Sequence, residues 1–154
     1  ECRMTNMIFV NLPISDLARS RAFYTALGFT INEAFSDDTA ACVVISEAIY
    51  VMLLTHEKFA QFTQLPIGDA REACQHMMAL SYGSKEAVDA LMTSGLGAGG
   101  SEGRAAQDLG FMYSRALADP DGHIWEPFWM DPAATAEGPP EIEDQAAITS
   151  TSSI

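Results

Sequence analysis

The residues best suited to chemistry stand together late in the chain, in Asp119-Pro120-Asp121-Gly122-His123-Ile124-Trp125-Glu126-Pro127-Phe128-Trp129-Met130-Asp131. Glu126 is the one carboxylate inside an aromatic-rich, seven-residue run. An acidic side chain amid so much apolar surface is costly to bury. It is therefore expected either at the rim or at work. Burial would raise its pKa and suit it to taking a proton from carbon beside a carbonyl group. The structural alternative is an acid bonded to a Tyr or an Arg. Tyr113 and Arg115, two residues apart, share one face of a neighbouring strand and could hold an anionic or carbonyl group. Their bland alternative is a solvated pair at the sheet edge.

Metal and nucleophile chemistry has less to draw on. The histidines are His56, His76 and His123, and the cysteines are Cys2, Cys42 and Cys74. The cysteines are odd in number, widely spaced and without a C-x-x-C pair. They read as reduced thiols of a cytoplasmic protein. His123 and Glu126 differ by three and should point to opposite faces of an extended strand. His76 stands next to Met77, so a slip of one residue would reverse its face. His56 and Glu57 fall at a strand exit, where a solvated loop is expected.

Net charge is -13 with a pI near 4.3. Such a surface does not neutralise phosphates, so no nucleic-acid partner is expected. An anionic membrane surface is excluded on the same ground, and no apolar run approaches the roughly 20 residues of a membrane span. Hydrophobic residues make up 48% of the chain, enough for a real core.

Two sets of elements must position these groups. Met7 to Leu12 reads as a strand. Ser15 and Asp16 are N-cap residues and Gly28 a C′ residue, which brackets an amphipathic helix carrying Leu17, Phe23, Tyr24 and Leu27. Strands follow over 29–35, 40–46 and 49–55. A connector with helical turns covers 56–75. A strand over 75–82 opens the second set, and Ser84 caps a helix stopped at Gly95. Gly95, Gly97, Gly99 and Gly100 read as a loose loop; they follow a helix, whereas a phosphate cradle precedes one. A weak strand near Arg104, a better one over 109–117 and the strand after Asp-Pro-Asp-Gly complete the set. The pattern strand-helix-strand-strand-strand therefore occurs twice. Trp125 and Trp129, of opposite parity to Glu126, should pack on a helix or a partner. Residues after Asp131 are rich in Ala, Ser, Thr, Pro and acid, and read as a tail unable to order itself alone.

Leu12 to Phe29 (Leu-Pro-Ile-Ser-Asp-Leu-Ala-Arg-Ser-Arg-Ala-Phe-Tyr-Thr-Ala-Leu-Gly-Phe) and Asp119 to Glu126, set in two βαβββ units, resemble the vicinal oxygen chelate superfamily. That group includes glyoxalase I, bleomycin-resistance proteins and extradiol dioxygenases, and the likeness is strongest to the glyoxalase-like branch labelled predicted lactoylglutathione lyases. The resemblance implies an α+β fold. Paired βαβββ modules, at about 7–55 and 76–131, would form one domain over 1–131 with a curved mixed sheet cupping a small molecule, followed by a flexible acidic tail over 132–154. It also implies a homodimer. Family metal ligands come from first and last strands, here at Phe9, Leu53, Met77 and Glu126. One hard oxygen among apolar side chains cannot hold a divalent ion, so no metal cofactor is expected.

On this resemblance Phe9, Leu53 and Met77 would floor an apolar cup, with Asn11 facing it by sharing the parity of Phe9. Glu126 would be the catalytic base, and Asn11 and Arg115 the donors available to an enolate oxygen. The expected activity is proton transfer on a small carbonyl compound or thiol adduct. The alternative is a binding protein that sequesters a small molecule without chemistry.

Overall fold

The two long helices begin where their caps predict. Asp16 accepts a hydrogen bond from the Arg19 backbone N–H at 3.0 Å, and Ser84 from that of Ala87 at 3.1 Å. Gly28 takes φ +94°, the left-handed conformation that ends a helix at no side-chain cost. The structure, a computed structural model, describes residues 5–138. Its first half runs β1 (Ile8–Ile14), α1 (Leu17–Ala26), β2 (Thr30–Asn32), β3 (Ala40–Val44) and β4 (Ile49–Thr55). The short helix α2 (His56–Ala60) opens the connector. The second half runs β5 (Met77–Ser81), α3 (Lys85–Gly97), β6 (Ser101–Asp108), β7 (Met112–Ala118) and β8 (Ile124–Met130), followed by α4 (Pro132–Glu137).

Each half closes its own four-stranded sheet, in the orders β1-β4-β3-β2 and β5-β8-β7-β6. In both, the first strand runs parallel to the last and the remaining pairs are antiparallel. This is the α+β architecture of two βαβββ modules expected from the repeat.

Both helices lie on the core side of the sheets, and α1 meets α3. One buried cluster draws on both halves: Leu12, Val51 and Leu53 from the first sheet, Phe23 and Tyr24 from α1, Met92 from α3, and Leu117 and Trp125 from the second sheet. Ser20, Phe23 and Tyr24 fall at i, i+3 and i+4 and form the buried stripe of α1. Burying each large side chain contributes about 1.5–3 kcal/mol. Trp125 packs edge-on against Tyr24 of α1, as its parity predicts.

Several boundaries differ from expectation. The strand over 29–35 shortens to β2, because Asn32 caps a 3-10 turn at Glu33–Phe35. Arg104 stands in an eight-residue strand rather than a weak one. Leu109 to Phe111 form a turn rather than the start of β7; the Leu109 N–H donates to the Met112 carbonyl at 2.8 Å. Gly95 and Gly97 belong to α3 rather than to a loop. A Cβ at Gly95 would stand 2.3 Å from Leu117 Cδ2, so this glycine lets helix and strand approach closely. The expected tail begins within α4; residues 139–154 lie outside the described residues.

Candidate functional site

The chemistry-bearing turn turns out to join the two modules. Asp121, 7% exposed, accepts from Ser15 N–H at 3.0 Å and from Ser15 Oγ at 2.6 Å on one carboxylate oxygen. Its other oxygen takes Ser20 Oγ at 3.4 Å. Asp119 uses one oxygen to accept from the backbone N–H groups of Asp121 and His123, at 3.0 and 2.9 Å. Its second oxygen accepts from the Tyr24 hydroxyl at 2.7 Å, and that hydroxyl accepts from Trp125 Nε1 at 3.0 Å. His123 Nε2 closes the clasp on the Pro13 carbonyl at 2.7 Å. Burial pushes the Asp119 carboxyl up from its ordinary value. Burial, then the neighbouring Asp119 charge, holds the Tyr24 phenol well above its own, so it stays a donor. Both motifs of the sequence are thus one hydrogen-bonded joint.

Glu126 lies beyond the joint on the helix-free face of β8, because its neighbour Trp125 turns into the core. It stands opposite Ala79 of β5. Its side chain is 22% exposed and pairs with Arg104 of β6 at 3.4 Å; both Arg104 contacts fall on Oε1. Arg104 also donates to Ser114 Oγ at 3.0 Å. Glu126 is therefore bonded to an arginine, the structural alternative open in the sequence; the partner, Arg104, comes from a stretch of Gly and Ala whose strand signal is faint.

Other expected site residues separate into two groups. Phe9 and Asn11 occupy the helix-free face of β1, with Phe9 45% exposed and stacked on Tyr50 at 4.6 Å. Met77 stands on the corresponding face at the start of β5, 60% exposed. Leu53 does not join them. It pairs with Leu12 in register, shares its face and is fully buried in the core. Tyr113 and Arg115 do share a face, but it is the helix side. The Tyr113 hydroxyl and the Arg115 guanidinium both donate to Asp89 of α3, at 2.7 and 3.0 Å, and Arg115 also donates to Glu102 at 3.0 Å. These bonds, Tyr113's first, hold the Asp89 carboxyl below its ordinary value. Arg115 is thus committed to Asp89 and Glu102, remote from Glu126.

The four family ligand positions do not fit a metal. Phe9 and Leu53 offer no donor, Met77 offers a thioether, and Glu126 is tied to a guanidinium. Among the described residues no group of three His, Cys, Asp or Glu side chains converges as a ligand set.

A concavity lies where the helix-free face of β1 meets the connector. Its volume is about 410 Å³. Asn11 and Pro13 come from β1, Ile124 from the start of β8, and Phe59, Leu65 and Ile67 from the connector. His76 and His123 form a wall, their rings 6.5 Å apart and inclined by 26°. Among the described residues, no Asp, Glu, Lys or Arg lines it. A smaller recess of about 110 Å³ shares His123 and Pro13 but is charged, with Asp69, Arg71 and Asp121 in its walls. The connector is seated closely: a Cβ at Gly122, where φ is +93°, would stand 2.7 Å from Arg71 N and 2.9 Å from Ala70 C. Neither cavity nor connector contacts were visible in the sequence, since residues 61–76 carry no periodic pattern.

Comparison with known proteins agrees with this architecture. Residues 6–46 match the family described as bleomycin resistance protein-like N-terminal. A hypothetical protein from S. aureus is 28% identical, with a TM-score of 0.70 over 82% of this chain and 95% of that one. A glyoxalase-related enzyme from Fulvimarina pelagi is 22% identical, at TM-score 0.69 over 82% and 88%. A glyoxalase/bleomycin resistance protein/dioxygenase family enzyme from Burkholderia phytofirmans PsJN is 20% identical, at TM-score 0.67 over 82% and 99%. No curated protein matches. The fold is that of the glyoxalase/bleomycin-resistance/dioxygenase proteins. Residues 6–46 are in addition similar in sequence to the amino-terminal part of bleomycin resistance-like proteins.

Proposed function

We propose that the protein binds a small, uncharged molecule in the cavity between β1 and the connector, without chemistry on it. The observation that carries this reading is a wall of mixed apolar and polar side chains around about 410 Å³ that, among the described residues, includes no Asp, Glu, Lys or Arg. That volume falls within the range of small-molecule sites. A charged ligand would be desolvated there without a counter-ion. A glutathione adduct, being ionic, suits the cavity poorly. The test is calorimetric titration with a panel of neutral and charged aromatics. Neutral members should bind, and Ala73→Trp, which adds bulk to the wall, should weaken them; tighter binding of the ionic members would refute the reading.

A second reading keeps catalysis. Glu126 stands on an accessible face with Arg104 and Ser114 beside it, which supports a base next to a cation able to stabilise an enolate oxygen. Turnover of a methylglyoxal–glutathione adduct, abolished by Glu126→Gln, would favour it. No helix of the described residues is long and apolar enough to cross a membrane. Met7, Ile8, Phe9 and Met77, each 45–60% exposed, support a homodimer that covers this strip. Light scattering at micromolar concentration tests that assembly. Free thiols at Cys42 and Cys74 suit the reducing cytoplasm.

A further inference from the structure

Resting on the cavity reading above, we infer that residues 61–76 form a strap that lifts to admit a small molecule and closes over it, so that ligand and strap hold each other in place. This segment runs from the end of α2 to the start of β5 without helix or strand. Structureless stretches of that length are uncommon inside a compact domain and usually serve a function.

The strap is attached differently from everything around it. Among the described residues, none of 63–75 hydrogen-bonds to either sheet or to the Asp119–His123 turn. Its bonds are internal. The Asp69 carboxylate accepts from the Arg71 N–H at 3.0 Å and from the Arg71 guanidinium at 3.1 and 3.2 Å. The Asp69 carbonyl accepts from the N–H groups of Glu72 and Ala73, at 3.0 and 3.1 Å. This turn is tied from within and can move as one piece. Lifting it breaks no hydrogen bond to the body of the protein, so it orphans no buried polar group there. Local opening of that kind costs far less than unfolding a sheet.

Contact alone seats the strap. Its backbone lies close on the Asp-Pro-Asp-Gly turn, where a Cβ at Gly122 would stand 2.7 Å from Arg71 N. No residue of 61–76 is buried, and Leu65 lines the cavity while 77% exposed. The strap furnishes most of the cavity wall, and Asn11, Pro13 and Ile124 belong to the part fixed in the strands. A molecule held between these two surfaces withdraws apolar area of the strap from water only when the strap is down. That differential contact lets a ligand shift the strap toward its closed position. By reciprocity, whatever loosens the strap releases the ligand.

Limited trypsin digestion of the full chain tests this. Among the described basic residues Arg71 alone stands in irregular backbone; the others lie in helices or strands. Arg71 is not in the wall of the larger cavity, so a ligand there shields it only through the position of the strap. The first cut should fall after Arg71. The probe is N-phenylnaphthylamine, an uncharged dye whose fluorescence rises in apolar surroundings. At ten times its Kd it should slow that cut about tenfold, and further in proportion to its concentration, because trypsin acts on the open strap and the dye binds the closed one. Asp69→Ala unties the turn without altering the wall of the larger cavity. It should speed dye release in stopped flow roughly tenfold, the worth of one hydrogen bond, at an unchanged urea midpoint. With the dye bound and weakened by Ala73→Trp, any of four results overturns the strap and leaves the cavity reading standing: cuts in the sheets before Arg71, a cutting rate indifferent to the dye, unchanged dye release in Asp69→Ala, or a urea midpoint that falls with that variant. Failure of the dye to bind, or binding indifferent to Ala73→Trp, overturns the cavity reading and the strap with it.

Discussion

Tyr24→Phe removes one oxygen and tests the joint between the modules. The hydroxyl is fully buried, donates to Asp119 at 2.7 Å and accepts from Trp125 Nε1 at 3.0 Å. Without it, a buried carboxylate and a buried indole N–H both lose a partner. A hydrogen bond to a charged group contributes about 1.5–3 kcal/mol, and an orphaned buried donor costs about 1–3 kcal/mol. The expected loss is about 3 kcal/mol, a large part of the roughly 5–15 kcal/mol that holds a domain together. In urea, with a slope of about 2 kcal/mol/M, the midpoint should fall by about 1.5 M at constant slope. The loss should also depend on pH. Burial already raises the Asp119 carboxyl, and losing the tyrosine donor, which favours the charged form, raises it further. Wild type and variant differ most when Asp119 is ionised, and the gap should narrow as acid protonates it in both. A midpoint shift below about 0.3 M, or a gap that does not change with pH, would refute the view that these motifs act as a structural joint.

Three further outcomes follow from the geometry. Gly122→Ala puts a methyl group against the backbone of Ala70 and Arg71 at positive φ; it should cost about 1–3 kcal/mol and speed proteolysis within the connector ahead of the sheets. The hydrogen bonds from Tyr113 and Arg115 hold the Asp89 carboxyl below its ordinary value, so its contribution is present at neutral pH and lost as pH falls through the lower folded value. Asp89→Asn should therefore lower stability at neutral and alkaline pH, flatten the acid limb of a stability–pH curve, and make little difference at the acid end. Zinc or nickel titration, followed by thermal unfolding with and without chelator, should leave Tm unchanged, since the family ligand positions here supply one carboxylate already paired with Arg104; a metal-dependent rise would contradict this.

Local signals were read well where a single residue decides them. Asp16 and Ser84 cap their helices through their own side chains, and the aromatic run after Gly122 is the strand β8. Parity failed at Leu53, where the family position was carried over by likeness alone. The side chains of a strand alternate, so a one-residue offset exchanges the faces. The burial of Leu12 shows the point: with Phe9 outward, Leu12 and its register partner Leu53 must both turn inward. Tyr113 and Arg115 were correctly paired, yet only Asp89, on a helix distant in sequence, decides which face they take. The cavity was out of reach, because its walls come from an irregular connector and its polar atoms are placed by long-range bonds such as His123 to Pro13.

The joint has a consequence for how copies of this chain could combine. Ser15, Ser20 and Tyr24 are supplied by the amino-terminal half, while Asp119, Asp121 and His123 come from the carboxy-terminal half. Neither half alone satisfies all of these buried polar groups. A backbone nick in the exposed connector would therefore yield fragments that complement one another, and the same mutual need would let the halves of two molecules exchange, each completing the other at high concentration.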